Sequence, residues 1–155
     1  MWENSKYIHK SHNVSVLLYH IVISAKYRKV VLTDQVDAVL VSTCEELEKR
    51  YDVRFLEIGT DNDHVHFLVQ NVPTYSVTKI VRILKSLISR GVFKHCPEVK
   101  KQLWGGEFFG KGYFVNTVGQ HGTENKIAKY VKEQRLEKEY KKLKDAHQLS
   151  KHVLN

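Results

Sequence analysis

Apolar and polar residues along the chain fall into a small number of runs whose period changes. VSVLLYHIVIS, from Val14 to Ser24, is rich in β-branched residues and short, and it predicts a well-buried strand. The basic tetrapeptide KYRK, Lys26 to Lys29, reads as a loop. Thr33 or Asp34 then caps a helix in which Val36, Val39, Leu40 and Leu47 share one face, with EELEKR outside, ending near Tyr51. Val53 to Gly59 and His64 to Gln70 read as two strands joined by the polar turn TDND, and so as an antiparallel hairpin. Pro73 and Thr74 introduce a second helix, where Val77, Ile80, Val81, Leu84, Leu87 and Ile88 form one stripe and Lys79, Arg82, Lys85 and Arg90 stand away from it. His95, Cys96 and Pro97 belong to a loop. Tyr113 to Val118 predicts a fourth strand among glycines, and Thr123 caps a third helix spanning roughly Glu124 to Leu143, beyond which little pattern remains.

The order β-α-β-β-α-β plus a C-terminal helix corresponds to an α+β, ferredoxin-like split βαβ sandwich, an antiparallel sheet with helices on one face. The chain has 155 residues, enough for one core without a disulfide scaffold, and no repeat or long linker divides it. A single domain is expected, its core from about Val14 to Leu143 between short tails.

Charge narrows the partner. With 25 Lys and Arg against 17 Asp and Glu, the formal charge of +8 favours a polyanion such as nucleic acid. The two cysteines, Cys44 and Cys96, lack CxxC spacing and suggest a reduced, cytoplasmic protein. No segment approaches the roughly 20 apolar residues that span a bilayer, and a soluble, unprocessed protein without membrane partners is expected.

Chemistry is concentrated in two places. His64 and His66 flank Val65 in a strand, so their imidazoles share one face while Val65 points toward the helices. Two neutral imidazoles plus an oxygen ligand suit a divalent ion acting on a phosphate, although exposed hairpin histidines would give the same tripeptide. In the third helix Tyr130 and Gln134 lie four apart on the stripe of Ile127 and Val131. A tyrosine there is ordinarily a core residue with its hydroxyl at the rim, but an inward amide requires partners, and a metal ion is one.

Through the blocks YHIVISAKYRKVVL, TDNDHVHFLV, LWGGEFF, GYFVNTVG and KYVKEQ, taken in that order, the chain resembles the single-tyrosine HUH transposases (TnpA-like) of the smallest prokaryotic insertion sequences. The resemblance spans about Val14 to Arg135 and departs at Glu133, where relatives often carry asparagine. It implies that His64, His66 and Gln134 hold Mg²⁺ or Mn²⁺ at a scissile phosphate and that Tyr130 attacks the phosphorus, leaving a 5′-phosphotyrosine and a free 3′-hydroxyl. A phenol with a reference pKa of about 10 is a weak nucleophile at neutral pH, so a nearby cation is needed to favour its ionised form. The bond's energy is kept in the intermediate, in keeping with the absence of a GxxxxGK[ST] loop. The resemblance also implies single-stranded DNA with hairpin ends as substrate. A homodimer with sites shared between subunits and action at the prokaryotic nucleoid follow from it too.

Lys26, Arg28 and Lys29 in the basic loop, and Lys79, Arg82 and Lys85 on the second helix, are candidate DNA-backbone contacts, with a merely solvated face as the alternative for each. Two other functions fit parts of the pattern. KGYFV, Lys111 to Val115, looks like a fragment of the RNP1 motif of RNA-recognition modules, but it opens the fourth strand rather than the third and has Phe114 where a small residue is expected. A domesticated HUH endonuclease or replication initiator acting on repeated hairpins would retain the same residues.

Overall fold

The hairpin is the centre of the architecture. In a computed structural model, which describes residue 8, residues 15–103 and 106–118 and the backbone of 141–144, β2 (Arg54–Asp61) and β3 (His64–Asn71) are joined by a tight turn at Asn62 and Asp63. β1 (Leu17–Ser24) pairs antiparallel with the other side of β3, and β4 (Phe114–Val118) pairs antiparallel with β1. The strand order β4-β1-β3-β2 is that of the ferredoxin-like fold expected from the element sequence.

Both long helices lie on one face. α1 (Asp34–Arg50) begins where the Thr33 hydroxyl accepts from the Val36 amide, and α2 (Val77–His95) where the Ser76 hydroxyl accepts from that of Lys79. Val36, Leu40, Cys44 and Leu47 of α1 and Ile80, Val81, Leu84, Ile88 and Val92 of α2 pack with Ile21, Ile23, Phe55, Ile58, Val65, Phe67 and Val69 of the sheet. The helices approach closely at Gly91, where a β-carbon would lie 2.8 Å from the Thr43 hydroxyl. Cys44 and Cys96 are buried and neither is in a disulfide.

Alternation along the strands gives the other sheet face a different character. Leu18, Leu56 and Leu68 form a small apolar cluster on it, and His20 and His66 are also buried there. Gln70, fully buried, accepts from the Ile8 amide at 2.8 Å and so ties that residue to the sheet.

Two expectations are corrected. The segment after His95 is not simply a loop, because Pro97 stands in the first turn of a short helix, α3 (Pro97–Gln102), where its missing N–H costs nothing. The predicted third helix does not reach Leu143: Lys141–Lys144 is a strand, β5, paired antiparallel with β2 and extending the sheet to five strands. Backbone bonding to the β2 edge prevails over the helical propensity of a charged run, and lysines are at home on an edge strand. The rest of that predicted helix, with Tyr130 and Gln134, lies outside the described residues.

Candidate active site

His64 and His66 stand where alternation puts them, on the face of β3 away from the helices, while Val65 between them is wholly buried in the core. His66 is opposite Val22 of β1 and Gly59 of β2, and His64 is opposite Ser24 and Asp61, next to the turn.

Neighbours of His64 fix its tautomer. Its Nδ1 is in hydrogen-bond contact with Oδ1 of Asp63, and its Nε2 lies 2.8 Å from a terminal guanidinium nitrogen of Arg28. A guanidinium only donates, so Nε2 must carry the lone pair and Nδ1 the proton, which it gives to the carboxylate. Burial pushes the Asp63 carboxyl up, but the hydrogen bonds from His64 and Arg28 and the guanidinium charge hold the group below the ordinary carboxylate range. A carboxylate behind one ring nitrogen, with a lone pair on the other, is the arrangement that prepares a histidine for a divalent ion. His64 therefore presents a nitrogen whose chemistry suits a divalent ion.

His66 has a different neighbour. Its Nδ1 is 3.4 Å from Nε2 of His20, and the two rings are nearly parallel, at 9° with centroids 5.6 Å apart. A proton on Nδ1 shared toward His20 would leave the lone pair of His66 on Nε2. Phe114 meets the His20 ring edge-on. Among the described residues no group of three or more His, Cys, Asp or Glu side chains could hold a metal ion.

The basic loop is next to this site. Lys26 to Arg28 forms a single 3-10 turn, with Tyr27 and Arg28 at positive φ, 59° and 52°, where side chains are rarely found. It is tied to the hairpin turn by Ala25 N–H donating to Asp63 O at 2.8 Å and Leu32 N–H to Asn62 O at 3.3 Å. Tyr27 is 66 % exposed.

The other candidate DNA contacts are scattered. Lys26 pairs with Glu107 at 3.8 Å, Lys29 donates to the Gln102 carbonyl at 3.0 Å, and Lys79 sits over the Tyr75 ring. The Lys85 ammonium donates to the carbonyls of Gly110 and Lys111, each at 2.8 Å, and so holds the loop before β4. Burial lowers its pKa, with Glu107 opposing. Arg82 and Arg90 line an open cleft of about 410 Å³ between α2 and that loop, together with Phe93, Phe109 and Lys111.

Reading the sequence missed Asp63, taken only as a turn residue, and His20, taken as part of a buried strand. Each had a signal: Asp63 directly precedes the histidine pair, and His20 is a polar residue inside an apolar run.

Residues 13–134 match the model of the family described as "Transposase IS200 like". The chain belongs to the IS200-like transposase family. It is 30 % identical over 118 residues to the ISDra2 transposase TnpA of Deinococcus radiodurans, covering 76 % of this chain and 84 % of that one. It is 32 % identical over 116 residues to the transposase for insertion sequence element IS200 of Salmonella typhimurium, covering 75 % of each. A crystal structure from Deinococcus radiodurans R1, also described as a transposase, superposes with a TM-score of 0.65 at 28 % identity, over 82 % of this chain and 97 % of that chain. A REP-associated tyrosine transposase bound to a REP hairpin shares the fold, with a TM-score of 0.51 at 8 % identity over 76 % of this chain and 66 % of that chain. The protein is thus a transposase of this class, a family of DNA cleavage and strand transfer, and the RNA-recognition alternative falls away. Among the described residues no helix is long and apolar enough to cross a membrane.

Proposed function

We propose that this IS200-like transposase cleaves and rejoins single-stranded DNA at hairpin-marked ends, with Tyr130 as nucleophile and His64, His66 and Gln134 as ligands of Mg²⁺ or Mn²⁺. The observation that carries the reading is the fixed tautomer of His64, whose Nδ1 proton faces Asp63 and whose Nε2 keeps its lone pair.

Bound there, the divalent ion would supply Lewis acidity at a phosphate oxygen and favour the ionised phenol. The Tyr130 oxygen forms a bond to phosphorus as the bond from phosphorus to the 3′-oxygen breaks. The phenolic proton leaves, the 3′-oxygen ends as a hydroxyl, and the phosphate stays on the 5′ strand joined to tyrosine. Rejoining reverses these events with a new 3′-hydroxyl and needs no nucleotide. Asp63 holds the His64 ring in position, and His20 backs His66. Arg82 and Arg90 along the cleft, with Lys26, Lys29 and Lys79, are assigned to the DNA backbone, and exposed Tyr27 offers a ring on which a base can stack. The structural relative is bound to a hairpin, and the same class of DNA is assigned here.

We assign the working form as a homodimer in which Tyr130 of one subunit serves the histidines of the other. Among the described residues β4 is an edge of the sheet, with Phe114 40 % exposed at its start, and an edge strand can pair with a second copy.

The test replaces His64, His66 or both with alanine. Divalent-dependent nicking of a hairpin-bearing single strand is expected to be lost while circular dichroism is unchanged. A double variant that nicks at the wild-type rate in Mg²⁺ or Mn²⁺ sinks the assignment.

A further inference from the structure

We infer that Arg28 and the divalent ion compete for Nε2 of His64, and that the guanidinium, once displaced from it, turns to the scissile phosphate as a further catalytic group. The inference rests on the metal-assisted reading above and adds to it a residue with two successive partners.

Three observations carry it. First, the Arg28 guanidinium is 2.8 Å from the one nitrogen of His64 that has a lone pair to give. Two positive centres cannot use that lone pair together, so metal loading has to move Arg28. Second, the contact that remains to it among the described residues is weak, for its Nε is 3.5 Å from Oδ2 of Asp63 and its side chain is 68 % exposed. The surrounding backbone, by contrast, is fixed: Ala25 and Leu32 are bonded to the hairpin turn, and Lys26 N–H donates to the Phe108 carbonyl at 2.8 Å. The movement therefore belongs to the side chain alone. Third, Tyr27 and Arg28 both adopt positive φ, a pair of unfavourable conformations that turns the chain so that Arg28 reaches His64 while the Tyr27 ring is left exposed.

Displaced from a ligand of the ion, the guanidinium remains within a side chain's arc of any phosphate held at that ion. Its planar fork matches two phosphate oxygens, where negative charge is greatest as the phosphorus is attacked. The same side chain would thus occupy the ligand nitrogen before loading and neutralise the phosphate after it.

Opposite movements of two readouts test this. Mn²⁺ binding to DNA-free protein is measured by calorimetry for wild type, Arg28→Ala, Arg28→Lys and His64→Ala, and nicking of a hairpin-bearing strand is timed at saturating Mn²⁺. Arg28→Ala is expected to bind Mn²⁺ several-fold more tightly than wild type, yet to nick more slowly, by about tenfold or more, since a group stabilising developing charge is gone. Arg28→Lys, which keeps the charge without the fork, should lie between the two in both measurements. A residue that merely shaped the loop would weaken binding and nicking together, and that result overturns the inference, as does Mn²⁺ affinity unchanged in Arg28→Ala. If instead His64→Ala binds Mn²⁺ as well as wild type does, His64 is not a ligand and the metal-assisted reading falls with it.

Discussion

Replacing Asp63 with asparagine changes one atom and alters what stands behind His64. The carboxylate accepts the Nδ1 proton and faces Arg28 as well. An amide is neutral and can turn its NH₂ toward Nδ1, which would move the ring proton to Nε2, the wrong nitrogen for a metal. Loss of such an outer partner typically costs 10–100-fold in metal affinity, on the order of 1.4–2.7 kcal/mol. The side chains of Asp63 and His64 are 24 % and 15 % exposed, so water can replace part of the lost interaction. The lower end of that range, about tenfold, is therefore expected. Calorimetric titration of DNA-free protein with Mn²⁺ measures it, with His64→Ala as the reference for a lost ligand and thermal melting to confirm the fold. Equal affinity in Asp63→Asn and wild type, with binding lost in His64→Ala, would refute the idea that the carboxylate prepares the imidazole.

Other outcomes follow from the same contacts. Lys85→Met removes an ammonium that bridges two carbonyls at 2.8 Å each; allowing for water at this partly exposed site, about 1–2 kcal/mol should be lost, a fall in Tm of roughly 3–6 °C, whereas a lysine that only met DNA would change the salt dependence of binding and leave Tm alone. Mixed dimers report on assembly: a chain with His64→Ala and His66→Ala and a chain with Tyr130→Phe are each expected to be inactive, while the heterodimer regains cleavage because one of its two sites carries neither defect. A purified heterodimer without activity would mean that each subunit completes its own site.

Particular residues show how far the sequence could be read. The β-branched run VSVLLYHIVIS, the i, i+2 spacing of His64 and His66 in a strand and a period near 3.6 from Val77 to Ile88 were enough for the sheet, the helices and the shared face of the two histidines, because burial follows the backbone's own geometry. The contact between Arg28 and His64 was not legible, since it depends on two positive-φ residues that no side-chain pattern announces. The facing of His20 and His66 depends on the register of β1 against β3, a property of two strands together. β5 was read as helix because Lys141–Lys144 has the composition of a solvated helix end, whereas its place is set by backbone pairing with β2.

The central claim is a tyrosine nucleophile working with a metal held by His64 and His66, and the covalent adduct tests it most directly. Wild-type protein is incubated with a hairpin-bearing single strand and Mn²⁺, denatured and digested, and the DNA-linked peptide is sequenced by mass spectrometry. The account predicts a single 5′-phosphotyrosine at Tyr130, absent from Tyr130→Phe and from the protein in excess chelator. An adduct on Tyr113 or Tyr140, or one formed equally well without a divalent ion, would contradict it.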